Sequence, residues 1–167
     1  MFNIVLLEPE IPANTGNIGR TCVASGLRLH LIEPLGFIIN DKNLKRAGMD
    51  YWKDLEWYLY DDYEDFLAKN SDSIGRTYYA TTKAHKTYAD AEFKPGDYIM
   101  FGKESAGIPE EILVENEDKC IRIPMREEYR SLNLSNSVAI IAYEAMRQNQ
   151  FKSLEEYGEL HRLKWDK

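Results

Sequence analysis

Three polar, glycine-containing segments hold more hydrogen-bonding groups than packing requires. The first is NTGNIGRT, residues 14–21. It follows an apolar run and opens a helical pattern, where glycines let backbone N–H groups approach a ligand and a helix N-terminus favours an anion. The spacing is not GxGxxG, so the dinucleotide fingerprint is missing, and a capped strand-to-helix turn explains most of the same residues. Arg20 does not fit that plainer reading. It sits among Ile18, Thr21, Cys22 and Ala24, close to a predicted helix N-terminus whose dipole disfavours a cation.

The second segment is FGKESAGIP, residues 101–109, in which Gly102 and Gly107 bracket Glu104 and Ser105. It reads either as a tight loop or as a ligand loop, because the carboxyl ends of parallel strands are where ligands bind. The third, residues 121–140, leaves an apolar run at Pro124, passes Arg126 and Arg130, and enters a helix through SLNLSNS. Ser131, Asn133, Ser135 and Asn136 exceed what one helix cap can use. The surplus implies a buried polar network or a ligand. No histidine has a serine or cysteine partner at triad spacing, which disfavours hydrolysis. Cys22 and Cys120 form no CxxC or Cys/His pattern; they read as core fillers in a reducing compartment, with no metal site. Tyr51-Trp52 and Trp57-Tyr58 could stack bases, but their spacing fits core or dimer packing better.

These segments must be positioned by alternating strands and helices. Short apolar runs at 2–7, 29–32, 55–60, 77–82, 98–101 and 120–123 predict strands. Helical patterns fall at 17–25, stopped by Gly26, and at 41–47, 63–69 and 109–114. The clearest helical face places Val138, Ile141, Ala142, Ala145 and Met146 together, with an Asn or Ser available as cap. A further helix is predicted at 153–163, carrying Leu154, Tyr157 and Leu160. The fold class is α/β, a largely parallel sheet flanked by helices. With 167 residues and no linker or repeat, one domain spanning 1–167 is expected.

A net charge of −7 argues against coating nucleic acid by bulk electrostatics, although clustered arginines could still form a local basic surface. No apolar run approaches the roughly 20 residues needed to cross a bilayer, and the N-terminal MFNIVLLEPEIP reads as a buried strand rather than a leader. The expected location is cytoplasmic, with no membrane partner.

At the three segments, the chain closely resembles the trefoil-knotted SPOUT RNA 2′-O-methyltransferases, and within them the small wobble-position tRNA (cytidine/uridine) enzymes. The resemblance runs from NIVLLEPEIPANTGNIGRT through LHLIEPLGF, LKRAGMDYW, TTK, GDYIMFGKESAGIP and IRIPM to RSLNLSNSVAIIAYEAMRQ, most of residues 1–150. Residues 151–167 extend beyond it as the predicted helical extension. The resemblance implies a deep C-terminal trefoil knot and a homodimer. It also implies S-adenosyl-L-methionine as methyl donor, leaving S-adenosyl-L-homocysteine, with no metal, and the ribose 2′-hydroxyl of a wobble nucleotide as acceptor. The substrate would be a tRNA anticodon stem-loop, with leucine tRNAs expected.

Carried over residue by residue, the cofactor pocket falls on Ala80, Gly102, Ile123, Ser131 and Leu132. Catalytic positions fall on Asn14, Arg20, Glu104 and Asn133. Arginine stays protonated in nearly all settings, so Arg20 is assigned to polarising the hydroxyl or holding the adjacent phosphate, oriented by Asn14 and Glu104. Arg28, Lys45, Arg46 and Arg126 are the expected phosphate contacts. Tyr143 is expected to touch the nucleotide or to pack across a dimer. Two other classes fit less well: a knotted RNA-binding domain without methyl transfer, and a metabolite-binding α/β enzyme.

Overall fold

The computed structural model describes residues 1–39, 50–152 and 154–165. Among them, six strands form one sheet: β1 (Asn3–Leu7), β2 (Arg28–Ile32), β3 (Trp57–Tyr60), β4 (Thr77–Ala80), β5 (Tyr98–Phe101) and β6 (Cys120–Ile121). Their order is β3-β2-β1-β5-β4-β6, and every pairing is parallel. Central β1 and β5 are buried at every position, as their unbroken apolar runs require. Successive side chains alternate between the two faces. Ile4 and Leu6 pack with Ile18, Leu29, Leu31, Val138 and Ile141 on one face, while Val5 and Leu7 join Ile32, Tyr60, Phe66 and Met100 on the other.

Helices α1 (Pro12–Ser25) and α4 (Leu134–Gln148) pack against each other over the first face. α2 (Tyr63–Lys69) starts at Asp62, whose carboxylate accepts from the Asp65 N–H, and α3 (Glu110–Glu115) precedes β6. The five residues predicted for the apolar face of α4 are the five it buries.

Four expectations need correcting. α1 begins at Pro12 rather than residue 17, because proline's fixed φ suits the first helical position. Gly16 and Gly19 therefore lie inside the helix, and a Cβ on Gly19 would come within 2.9 Å of the Trp52 ring. That glycine serves close helix packing, not a ligand loop. Arg20 is consequently mid-helix, away from the positive end of the dipole. The 55–60 strand is shortened to β3 by a 3₁₀ turn at Asp50–Asp54, which lays the buried Trp52 into the core. The helix predicted at 153–163 is absent among the described residues: Leu154 packs on the core, but Tyr157 and Leu163 are exposed and Gly158 interrupts the run. With Leu154 alone of its apolar positions packed on the core, a short helix has little to stabilise it. The helical turn predicted at 41–47 lies outside the described residues.

Candidate active site

The start of α1 and the 101–109 and 121–140 segments meet at the carboxyl ends of β1, β4, β5 and β6. Between them lies a cavity of about 450 Å³. Ala80, Ile121, Ile123, Leu134 and Ile141 form its apolar side; Asn14, Glu104, Ser131 and Asn133 supply polar groups. Gly102 and Leu132 also line it, so all five positions expected to hold the cofactor share one wall system.

The loop after β5 is folded back on itself. The Gly107 N–H donates to the Lys103 carbonyl at 2.8 Å, and Gly107 adopts a left-handed φ of 74°. A Cβ on Gly102 would lie 2.0 Å from the Gly107 carbonyl carbon, so only glycine permits this closeness.

Glu104 organises the polar end. Its carboxylate accepts from the Glu10 N–H (2.8 Å), the Ile11 N–H (3.3 Å) and Asn14 Nδ2 (2.9 Å). Ile11, which precedes α1, has no capping side chain; a carboxylate from a distant loop takes the two N–H groups just before the helix and sits favourably at its dipole. Asn14 in turn accepts at Oδ1 from Asn133 Nδ2 (3.0 Å). The Asn133 Oδ1 accepts from the Ser135 N–H and hydroxyl, at 2.9 and 2.7 Å, and caps α4. Of the surplus amides and hydroxyls seen in the sequence, Asn133 joins a polar chain linking three segments and Ser135 bonds its Oδ1.

Arg20 stands apart. It is exposed on α1, does not line the cavity, and makes no hydrogen bond or ion pair among the described residues. The expectation that Asn14 and Glu104 orient it is not met within one chain, because those two side chains bond each other. Its charge is felt at Tyr51: burial pushes that phenol up, and Arg20 pulls it partly back. Tyr51 itself donates to the Gly16 carbonyl at 2.5 Å.

The expected phosphate contacts are dispersed. Arg28 begins β2, at the end of the sheet opposite the cavity, and is paired with Glu56 at 2.6 Å. A cation at a strand start cannot share the surface formed by strand ends, so Arg28 does not belong to this site within one chain. Lys45 and Arg46 lie outside the described residues. Arg126 is exposed beside the cavity-lining Met125, with Glu128 at 3.4 Å. Tyr143 is 47% exposed on α4, one turn from the less exposed Ile140.

Sequence reasoning missed Glu10, whose carboxylate accepts from the Ser105 N–H and hydroxyl, each at 2.8 Å. Its signal was present: an acid between two prolines, at a strand end, in EPEIP. Thr81, Met125, Leu134 and Ser137 also line the cavity without having been singled out. Among the described residues, no group of three or more His, Cys, Asp or Glu side chains could hold a metal. No helix among them is long and apolar enough to cross a membrane.

A parallel α/β sheet with a glycine-pinched loop and a three-segment polar chain at its strand ends defines a small-ligand-binding enzyme domain. The chain belongs to the SpoU rRNA Methylase family, whose profile matches residues 1–143. A Listeria innocua protein provisionally named tRNA (cytidine(34)-2′-O)-methyltransferase is 49% identical, the match covering 91% of this chain and 90% of that protein. A Burkholderia ambifaria protein named tRNA (cytidine(34)-2′-O)-methyltransferase is 45% identical, covering 91% of this chain and 98% of its own. A solved structure described as giving insight into the 2-OH methylation of C/U34 on tRNA superposes with a TM-score of 0.83. It is 43% identical, with 90% of this chain and 97% of that one covered.

Proposed function

We propose that this chain is an S-adenosylmethionine-dependent tRNA methyltransferase acting on the ribose 2′-hydroxyl of the wobble nucleotide, cytidine or a modified uridine. The anticodon stem-loop, in leucine tRNAs, would be the substrate and the cytoplasm its setting. The observation that carries this reading is the Glu104–Asn14–Asn133 chain, which gathers residues 90 and 119 positions apart onto one cavity wall. The named relatives add support, because the match spans nearly the whole of both chains.

The cavity suits the donor. Its volume lies within the range of small-molecule sites, its apolar side can take an adenine ring, and the loop at Gly102 brings backbone groups close. When bound, the sulfonium supplies an activated methyl group for in-line displacement. Ala80, Gly102, Ile123, Ser131 and Leu132 would hold it. Asn14 and Asn133, fixed by mutual hydrogen bonding, present the polar end against which a ribose could be aligned at near-attack distance. Arg20 would polarise the hydroxyl or hold the neighbouring phosphate, stabilising the developing alkoxide.

Because Arg20 is exposed and off the cavity wall, it would act at the cavity of a second copy, or on RNA spanning two copies. Such a homodimer is supported by apolar side chains of α4 left outside one chain and off the cavity: Ile140 and Tyr143 are each more than a third exposed. Arg126 and Tyr143 would then border the RNA path. The trefoil knot belongs to the same reading. After β6, at the sheet edge, the chain crosses back to Asn14 beside β1 before α4 packs on α1.

The test is transfer of labelled methyl from S-adenosylmethionine to tRNA, followed by mapping of ribose methylation. Label at the 2′-hydroxyl of the first anticodon nucleotide is expected. Calorimetry showing no cofactor binding below millimolar would remove the reading, and binding without transfer would favour the RNA-binding alternative.

A further inference from the structure

The loop at 102–107 forms much of the cavity wall, yet it is exposed at Ser105, Ala106 and Gly107. Something must fix it. Besides the bonds that Glu104 accepts from the Ile11 N–H and Asn14 Nδ2, two ties run from it to the turn between β1 and α1. One is the ion pair of Lys103 with Glu8, at 2.6 Å, made through a flexible four-carbon stem that tolerates shifts of the loop. The other is reciprocal. The Glu10 carboxylate accepts from the Ser105 N–H through Oε2 and from the Ser105 hydroxyl through Oε1, while the Glu10 N–H donates to Glu104. This pair of contacts grips the backbone of the loop as well as its side chain. Charge-assisted bonds of this kind are the stronger sort.

Glu10 is itself held. Gly36 donates its N–H to the Pro9 carbonyl at 2.9 Å, and a Cβ on Gly36 would stand 2.5 Å from the Glu10 carbonyl oxygen. The backbone of Glu10 is therefore wedged from behind by the segment after β2. It is a fixed post, and the loop is the part that needs one.

We propose that Glu10 is a positioning residue: clasping Ser105, it sets the 102–107 loop so that the cofactor wall and Glu104 are in place before any ligand arrives. The inference rests on reading the cavity as the methyl-donor site. Glu10 does not line the cavity, so it acts only through the loop. A site fixed in advance avoids an ordering cost on binding, so loosening the clasp weakens donor affinity while leaving tRNA affinity alone.

The test compares the purified chain with Glu10→Ala and Glu10→Gln. An amide can keep both contacts, its oxygen taking the Ser105 N–H and its NH₂ donating to the Ser105 oxygen, so the second variant preserves geometry without charge. Calorimetry with S-adenosylmethionine and S-adenosylhomocysteine should show Glu10→Ala binding both about ten-fold more weakly, with KM for the donor raised and KM for tRNA unchanged. Glu10→Gln should recover to within about three-fold of the parent. Amide hydrogen exchange should show protection at Ser105 and Gly107 lost in Glu10→Ala alone. Parent-like binding by Glu10→Ala, or equal loss in both variants, overturns the proposal. If the parent itself binds neither ligand, the methyltransferase reading fails separately, and loop protection unchanged in Glu10→Ala would then overturn the clasp.

Discussion

Asn133 donates through Nδ2 to Oδ1 of Asn14 at 3.0 Å while its own Oδ1 caps α4. One side chain thus starts a helix and closes the cavity. The two duties separate by substitution. Asn133→Asp keeps the cap, since aspartate is as good an N-cap as asparagine, but sets a carboxylate against the Asn14 oxygen. Its stability should stay within about 1 kcal/mol of the parent, while Asn133→Ala loses about that much. Both variants should lose at least about ten-fold in methyl transfer, measured as kcat/KM on tRNA.

Gly102→Ala should damage binding and stability together. The added methyl meets the Gly107 backbone at 2.0 Å, and no side-chain rotation can relieve a backbone clash. Overpacking of this kind costs about 1–3 kcal/mol, to be read from denaturant unfolding, with cofactor binding reduced more than about ten-fold. Gly158→Ala, where a Cβ would meet nothing within 4 Å, is the control and should behave as the parent.

His30 predicts a pH dependence of folding. It is 3% exposed in β2, between the Tyr60 hydroxyl at 2.8 Å and the Asn3 amide oxygen at 3.2 Å. Burial, reinforced by the nearby Arg28 charge, lowers its pKa from 6.5 to about 4. The unfolded chain therefore takes up the proton first. Stability from this group is complete above pH 6.5 and is lost as pH falls toward about 4, by an amount of the order of 3 kcal/mol. Thermal melts of the parent and His30→Gln should converge across that window; parallel curves would contradict it.

Both thiols should be inert in the folded chain. Cys22 is fully buried, with its pKa pushed up to about 12 by desolvation, and burial raises Cys120 as well. Mass spectrometry should find neither alkylated under native conditions and both alkylated in denaturant. Rapid native modification of Cys22 would show that α1 opens readily.

The sequence showed the sheet and the α4 face well, because unbroken apolar runs and a 3.6-residue period are set by burial on known sides. The same logic failed where glycine had two meanings. Gly19 looked like part of a ligand loop, yet it is a helix residue pressed against Trp52, a contact made through the fold and invisible locally. The predicted helix at 153–163 had periodic apolar residues, but beyond Leu154 no surface takes them. At the site, Asn14, Glu104 and Asn133 were legible as polar surplus, and the structure joins them. Arg28 was legible as remote, since it sits at the amino end of the strand predicted at 29–32 while ligands bind at carboxyl ends, yet residue type alone made it a phosphate contact. Glu10 was passed over because its partner, Ser105, lies 95 positions away.

The cavity is walled by four stretches far apart in the chain, residues 11–14, 80–83, 101–107 and 121–141, and its polar rim closes only when α4 docks on α1. Occupancy and global unfolding are therefore linked: whatever fills the space ties those four stretches together at once. A ligand present at about a hundred times its Kd would add about 2.7 kcal/mol against unfolding of the whole domain, shielding even distant β2 amides from exchange. Heat resistance thereby becomes a gauge of how much small molecule is at hand.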